Sequence, residues 1–358
     1  MCCRGGGALG TQGRRVRRPQ PGVPVDPDGR ERGSPDGQTQ SPFLPLPTLM
    51  AETTEIVASG PGSRVAGDLL AGRTAQEFGQ KQWHLKPGQP TAVMVLPVPV
   101  AGLDPLLNGR NLQLRLLSSG PVSIAMLAAH GSGSTPPSHK RWLQVLNDGV
   151  LSTKEHSPTP RDSKGKMIYS RVSGVQIGSS WIAKLTDSGR DVLLAPSGPL
   201  SWPISSLKRG TLGTNQVQTA ELASFYPGTA WAAHGNYGVE YDLTLPLKNA
   251  GSTATTLELS LDSPLKSDEQ QGGLRFKDSV SGPVMFRGPV SISGLDDNQG
   301  IPEGRRTTHV VLRQGQRGPA LGQLTLEPGE ERSVRVRLVY PADATPPQVL
   351  TVQPVKQS

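Results

Sequence analysis

The sequence predicts an all-β fold, and three observations carry that prediction. Gly and Pro are abundant, 43 and 34 of the 358 residues, while apolar residues make up only 34% and aromatic residues 4%. That composition falls short of a wholly disordered chain and fits many short strands joined by turns. Apolar and polar residues also alternate over short runs, the signature of strands with one buried face. Finally, Pro-Gly pairs punctuate those runs. Pro87-Gly88-Gln89 lies between Trp83, Leu85 and Val93, Val95, and Pro328-Gly329-Glu330 between Leu324, Leu326 and Val334, Val336, Leu338. Pro presets φ for the first corner of a tight turn and Gly accepts the positive φ of the second. Both pairs are read as hairpins in two β-sandwich-like modules, and the length accommodates roughly two domains.

Residues 1–41 differ from the rest: they hold no Ile, Phe, Tyr, Trp, Lys, Asn or His. They read as a disordered or spurious leader, with Arg14, Arg15, Arg17 and Arg18 as a competing basic arm for nucleic acid or a membrane surface. The first β-rich module is placed at 42–228, with its opening strands incomplete, and the second at 229–358. Residues 62–73 are compatible with a short helical turn. Residues 82–100 give the first hairpin, whose alternate prolines at 97 and 99 confine the last limb to an edge. Leu112, Leu114 and Leu116 mark a strand, and 122–127 another after the Gly120-Pro121 turn.

The one main helix spans 138–148. Ser138 is its N-cap, Trp142, Leu143, Val145 and Leu146 form an apolar face, and Gly149 ends it. Residues 152–166 read as an exposed loop, followed by strands at 168–172, 181–186, 192–195 and 216–225. Val239, Tyr241, Leu243 and Leu245 alternate with Glu240, Asp242 and Thr244, and Asn249-Ala250-Gly251 turns this strand into a hairpin partner at 255–261. Further strands are expected at 275–277, 284–292, 308–313 and 322–340. Beyond Tyr340 a Pro-rich terminal segment ends in a short strand at 349–352.

The net charge of +8 admits an anionic partner. Because the charge is scattered and no basic run interleaves with aromatics, nucleic acid is not the expected partner. The only cysteines, Cys2 and Cys3, are adjacent, which leaves neither a disulfide framework nor a Cys-rich zinc site. No stretch reaches the 18 or so apolar residues of a membrane helix, and the start lacks the apolar region of a signal peptide. Nucleophile elbows, zinc-protease motifs and phosphate-binding Gly loops are missing, and the six histidines do not pair at metal-ligand spacing. No cofactor or metal is therefore assigned.

The densest patch of functional side chains is 231–242. Its candidate ligand-binding residues are Trp231, His234, Asn236, Tyr237, Glu240 and Asp242. Trp231 and Tyr237 are suited to stacking on a sugar ring, and His234 to acting as a base. Glu240 and Asp242 share one strand face about 7 Å apart, a separation that paired glycosidase carboxylates also show. Against that stands a structural reading in which Gly235 and Gly238 shape a strand entry, the aromatics fill the core and Asn236 bonds backbone. Asp296-Asp297-Asn298 offers oxygen ligands for calcium but reads as a surface loop. Arg332, Arg335 and Arg337 with Glu330 and Glu331 read as a solvated strand face.

Several tracts resemble one family. They are 42–47 (Pro-Phe-Leu-Pro-Leu-Pro), 60–65 with Asp68-Leu69-Leu70, 107–110, 169–175, 233–247 and 340–352. Over residues 40–353 the chain is similar to the cyanobacterial domain-of-unknown-function family DUF3370. The resemblance implies no assigned activity and no accepted catalytic residues. It implies exported relatives with an amino-terminal signal and a further strand-rich region, neither of which is seen here. The expected function is a non-catalytic envelope or extracellular binding or structural protein, with polysaccharide or protein as partner. A glycan-acting hydrolase using the strand carboxylates is the alternative.

Overall fold

The computed structural model describes residues 10–11, 44–45, 56–60, 62–73, 82–95, 111–115, 118–129, 135–149, 157–163, 168, 170, 172–268 and 273–355. Its strands in chain order are β1 (Gly10–Thr11), β2 (Leu44–Pro45), β3 (Ile56–Gly60), β4 (Asn111–Arg115), β5 (Ser123–Ile124), β6 (Gly174–Ile177), β7 (Ser180–Lys184), β8 (Leu193–Leu194), β9 (Leu200–Ile204), β10 (Leu222–Phe225), β11 (Glu240–Lys248), β12 (Thr255–Asp262), β13 (Val284–Ser293), β14 (Arg306–Arg313), β15 (Ala320–Leu326), β16 (Glu331–Val339) and β17 (Gln348–Pro354). Two short helices accompany them, α1 (Gly62–Leu70) and α2 (His139–Asp148). The fold is all-β, as the composition predicts.

The chain forms two compact units, one from Met1–Pro61, Gly72–Ile177 and Glu221–Trp231, the other from Gly62–Ala71, Gly178–Ala220 and Ala232–Ser358. In the first unit β1, β6 and β10 make a three-stranded sheet, while β2–β5 and β3–β4 are separate antiparallel pairs. Helix α2 is capped as its sequence dictates. Ser138 Oγ accepts from the Arg141 N–H at 3.3 Å, and Gly149 ends the helix at φ 59°. Ser is preferred at the first position because its oxygen satisfies a backbone donor that has no helical acceptor.

The hairpin expected at 82–100 is not formed over 82–95, and residues 96–100 lie outside the described residues. Pro87-Gly88 does turn, with Gln89 N–H donating to Lys86 O at 3.1 Å, but no strand flanks it. Leu85 and Val95 stay half exposed, so the alternation has no partner surface to bury against. The expected strand at 168–172 reduces, among the described residues, to a single bridge between Val172 and Ala230. At 216–225 only 222–225 are strand, and 275–277 are irregular.

The second unit holds the larger core. One sheet runs β14-β13-β16-β11-β7, with β8 also beside β11, and the other runs β15-β12-β17-β9. Tyr241, Leu243, Leu245 and Leu247 of β11 join Val334, Val336 and Leu338 of β16 in the core. Leu257, Leu259 and Leu261 of β12, with Leu350 and Val352 of β17, enter the same cluster from the other sheet. Each such side chain contributes about 1.5–3 kcal/mol on burial. Strands β7 and β8 run parallel to β11, so chain on both sides of residue 229 builds one sheet. The amphipathic helix α1 packs its buried Val65, Ala66, Leu69 and Leu70 on β13 and β16.

Two turns read as hairpins prove to be crossings between the sheets. β11 pairs with β16 while β12, the next strand, pairs with β15 and β17. Pro328-Gly329 likewise carries the chain from β15 in one sheet to β16 in the other. Alternation identifies the buried face of a strand but not its neighbour, so both connections looked like hairpins. The crossings meet at Asn249, which is 2% exposed. Its Nδ2 donates to Leu326 O at 2.9 Å and Thr253 O at 2.8 Å, and its Oδ1 accepts from the Gly251 N–H at 2.9 Å. Its own N–H donates to Glu330 O at 3.0 Å, and its carbonyl accepts from the Gly329 N–H at 2.9 Å.

Strand β9 was not among the strands expected from the sequence. It is an edge strand, paired only with β17, and an edge tolerates a residue that cannot donate, here Pro203. The Pro-rich terminal segment gives β17, seven residues long and flanked on both sides by β12 and β9.

Replacing Asn249 by Ala removes a side chain that serves both crossings and leaves the buried Leu326 carbonyl unpaired. Asn249→Ala is expected to cost about 2–4 kcal/mol, read as a lower urea midpoint at unchanged slope. Asn249→Asp, of the same size but without the two donated bonds, is expected to cost a similar amount.

Candidate functional site

Residues 231–242 form the approach to β11 and its first turn. Trp231 belongs to the first unit. Its Nε1 donates to Thr159 O at 2.9 Å, and the Arg161 guanidinium lies over its ring at 5.6 Å. Arg161 also meets Glu221 at 3.2 Å, so the indole is held by a polar bracket. The other five candidates lie in the second unit, and the alternation of β11 divides them between its two faces.

Asn236 is buried at the inward side. Its N–H donates to Ser205 Oγ at 2.9 Å, and its Nδ2 donates to Tyr241 Oη at 2.7 Å and Gln218 O at 3.2 Å. The Tyr241 hydroxyl also accepts from the Ser205 N–H at 2.8 Å and donates to Gln218 Oε1 at 2.9 Å. Gln218 Nε2 in turn donates to Pro203 O at 2.7 Å. Ser205 holds a left-handed backbone, φ 60°, at the end of β9, a conformation unfavourable for a non-glycine residue unless its surroundings fix it. Here its hydrogen bonds with Tyr241 and Asn236 do so. The arrangement satisfies every member in the dry interior, which is what a buried polar group requires.

The aromatic residues around this hub fill the core. Trp181 stacks on Tyr241 with centroids 6.3 Å apart, and Tyr237 meets Tyr340 at 5.9 Å. Tyr340 donates to Gln348 Oε1 at 2.5 Å. Burial pushes the Tyr241 and Tyr340 phenols well above the ordinary 10.0, since neither can ionise away from water. Gly235 sits where a Cβ would come within 3.1 Å of the Tyr237 ring and 3.2 Å of Pro346. His234 is half-buried between these residues in sequence.

Glu240 and Asp242 take the outward face. Arg335 Nε and Nη2 donate to the two oxygens of Asp242 at 2.7 and 2.5 Å, a bidentate fork. Arg337 donates from Nε at 3.0 Å and Nη2 at 2.5 Å to Glu240 Oε1. In the sheet register Asp242 opposes Arg337 and Thr244 opposes Arg335, so both pairs run diagonally between β11 and β16. The hydrogen bond to Asp242 is the main cause that holds the Arg335 guanidinium even more firmly protonated than usual.

The structure thus brings Asn236 together with Tyr241 and binds each carboxylate to an arginine. It does not gather the carboxylates with Asn236, because residues 240 and 242 point away from the face that Tyr241 occupies. Ser205, Gln218 and Tyr241 were not anticipated as partners of Asn236; nothing in their spacing marks them, since the contacts span anything from 5 to 36 residues of chain. Of the other suggested sites, Asp296 accepts from the Thr325 N–H at 2.6 Å and pairs with Arg332. Asp297 Oδ1 caps the Gln299 and Ile301 N–H groups at 2.8 and 2.9 Å, so this segment is a turn built on its own carboxylates. Among the described residues no three His, Cys, Asp or Glu gather in a way that could hold a metal ion. No described helix is long and apolar enough to cross a membrane.

The profile of a family described as "Protein of unknown function (DUF3370)" matches residues 30–354. No curated protein and no solved structure matches the chain.

The raised phenols have a signed consequence. The unfolded chain releases the Tyr241 and Tyr340 protons near the ordinary 10.0, while the folded chain retains them. Stability is unaffected by these groups below that pH and falls as pH rises above it. In an ultraviolet titration these tyrosines are expected to ionise only as the protein unfolds. Tyr241→Phe should flatten the alkaline loss of stability while costing about 1–3 kcal/mol at neutral pH, since Ser205 N–H and Gln218 lose their partner.

Proposed function

The chain belongs to the DUF3370 family of proteins of unknown function, and from that premise we propose that it is a non-catalytic binding or structural protein of the envelope or extracellular space, with polysaccharide or protein as its partner. One observation carries this reading: the acidic residues best placed for acid–base chemistry, Glu240 and Asp242, are each engaged by an arginine on the neighbouring strand. A general acid or base must reach its substrate and exchange a proton with it. Carboxylates held in diagonal ion pairs instead stiffen a sheet face. The outward face of β7, β11 and β16 that carries them is charged, bordered by α1 where that helix packs on β13 and β16, and offers paired side chains rather than open acids to a polymer. The exported relatives that the sequence resemblance implies are in keeping with a partner outside the cell.

The hydrolase alternative has the strand-face separation of Glu240 and Asp242 in its favour, and the two readings part on one experiment. The full chain is expected to co-sediment with purified cell-envelope polysaccharide and to release no reducing sugar from it over a day. Sugar release by the wild type that Glu240→Gln with Asp242→Asn abolishes would reverse this assignment. No retention by any envelope fraction at physiological salt would remove the binding reading itself.

A further inference from the structure

We infer that the outward face of β7, β11 and β16 binds a polyuronate chain, an acidic polysaccharide whose carboxylates dock on Lys184 and Arg335. This rests on the envelope-binding reading above and specifies its surface and its ligand chemistry.

The face is defined by residues whose neighbours turn inward. Trp181 and Ala183 pack toward the core, so Ile182 and Lys184 of β7 point outward. Tyr241, Leu243 and Leu245 do the same on β11, and Val334 and Val336 on β16, which turns Asp242, Thr244 and Arg335 to the outer side. In register, Thr244 opposes Lys184 on one neighbour and Arg335 on the other. Two basic residues thus flank a hydroxyl-bearing one in register, their backbones about 9.5 Å apart at two strand spacings, with the Arg335 guanidinium reaching diagonally to Asp242. Ile182 opposes Asp242 one step along.

The charge on this face is layered. In the Asp242–Arg335 pair the carboxylate side chain is 17% exposed and the guanidinium side chain 53%. The Glu240–Arg337 pair is ordered likewise, at 14% and 23%. Each pair is neutral as a whole, yet its acid lies beneath and its base above, so an approaching ligand meets guanidinium first. Arg335 gives Nε and Nη2 to Asp242 and leaves Nη1 without a hydrogen bond among the described residues. A planar guanidinium fixed on one edge presents its remaining N–H donors at no further entropic cost, and carboxylate is the anion its geometry matches. The Lys184 side chain is 53% exposed and pairs with the fully exposed Asp191 at 3.8 Å, a surface contact of small worth that a ligand carboxylate can replace.

Ile182, a 59% exposed β-branched residue beside these charges, decides the class of polyanion. A sugar ring has an apolar C–H face to lay on it and hydroxyls to bond Thr244, whereas a phosphodiester backbone would leave the isoleucine against charged oxygen. The net charge of +8 adds long-range attraction for any polyanion without selecting among them.

Affinity electrophoresis of the full chain through gels containing polygalacturonate, dextran sulfate, neutral dextran or duplex DNA tests this. Polygalacturonate is expected to retard the protein at about 0.1 M salt and to lose its grip toward 1 M, where the screening length falls from about 10 Å to about 3 Å. Neutral dextran should not retard it. Lys184→Glu leaves the Asp242–Arg335 pair intact and is expected to weaken polygalacturonate binding about tenfold or more, with Arg335→Gln comparable. Wild-type affinity in Lys184→Glu would overturn the inference even if Arg335→Gln failed to fold. Tighter binding of DNA or dextran sulfate, lost in the same variants, would overturn it in favour of a general polyanion surface. If the wild type ignores all four probes yet is retained by envelope fractions, this surface assignment falls and the broader reading stands. Retention by neither would sink both.

Discussion

Asn249 holds the one place in the second unit where two constraints coincide. Two sheets can share a core only if the chain passes between them, and each passage takes backbone out of the ladders that satisfy it. Here β11 to β12 and β15 to β16 cross side by side, and their orphaned groups converge on a single residue. The side chain serves Leu326, Thr253 and Gly251, and the main chain serves Glu330 and Gly329. A hydrophobic side chain of the same volume would fill the space and leave the buried Leu326 carbonyl dry. The core leucines supply most of the favourable free energy, but they do not choose between a hairpin and a crossing. Asn249 bears on that choice, because its bonds exist only when the two crossings lie together.

The other side of β11 makes a second closure with different chemistry. Tyr241 sends its hydroxyl among Ser205, Gln218 and Asn236, which come from the end of β9, the loop before β10 and the approach to β11 itself. The bulk of its ring is core; its polar tip ties irregular chain to the sheet. This is why the apparent functional patch of 231–242 is largely architectural on its inward side. Asn236 and the Tyr237 ring are needed to start β11 correctly. The strand then delivers Glu240 and Asp242 to the opposite face. A slip of one residue in register would exchange those faces and put two carboxylates in the core, so the Tyr241 hub protects the outer surface as much as the inner one.

What could be read from the sequence follows the range of the interactions involved. Ser138 and Gly149 bracket α2 through bonds within a few residues, and both were legible. The alternation of 239–245 revealed which side of β11 is buried, and the structure agrees residue for residue. Sheet membership was not legible, because it depends on partners roughly 90 residues away, as with Arg335 and Asp242. Pro328-Gly329 has the residues of a tight turn whichever sheet the next strand enters. Strand β9 went unread for a related reason: whether a strand can carry Pro203 depends on its lying at an edge, a property of the assembled sheet. Of the candidate site, the carboxylate face was visible as spacing, while the arginines that neutralise it were seen only as a separate charged strand.

Those arginines bear on what kind of protein this sheet can be. A catalytic carboxylate gains its power from an environment that leaves it poised between charge states and open to substrate. Glu240 and Asp242 have the opposite setting, each fixed by two hydrogen bonds from a guanidinium that the strand register places on the diagonal. The cost of ordering these long side chains is met when the sheet folds, and the outward donors are then already in position. On the proposed binding reading, a surface prepared in that way would lose little entropy on meeting an extended ligand, and the strand spacing would set the spacing of its contacts. The rigid pairing of these side chains is the geometric ground on which that proposal stands.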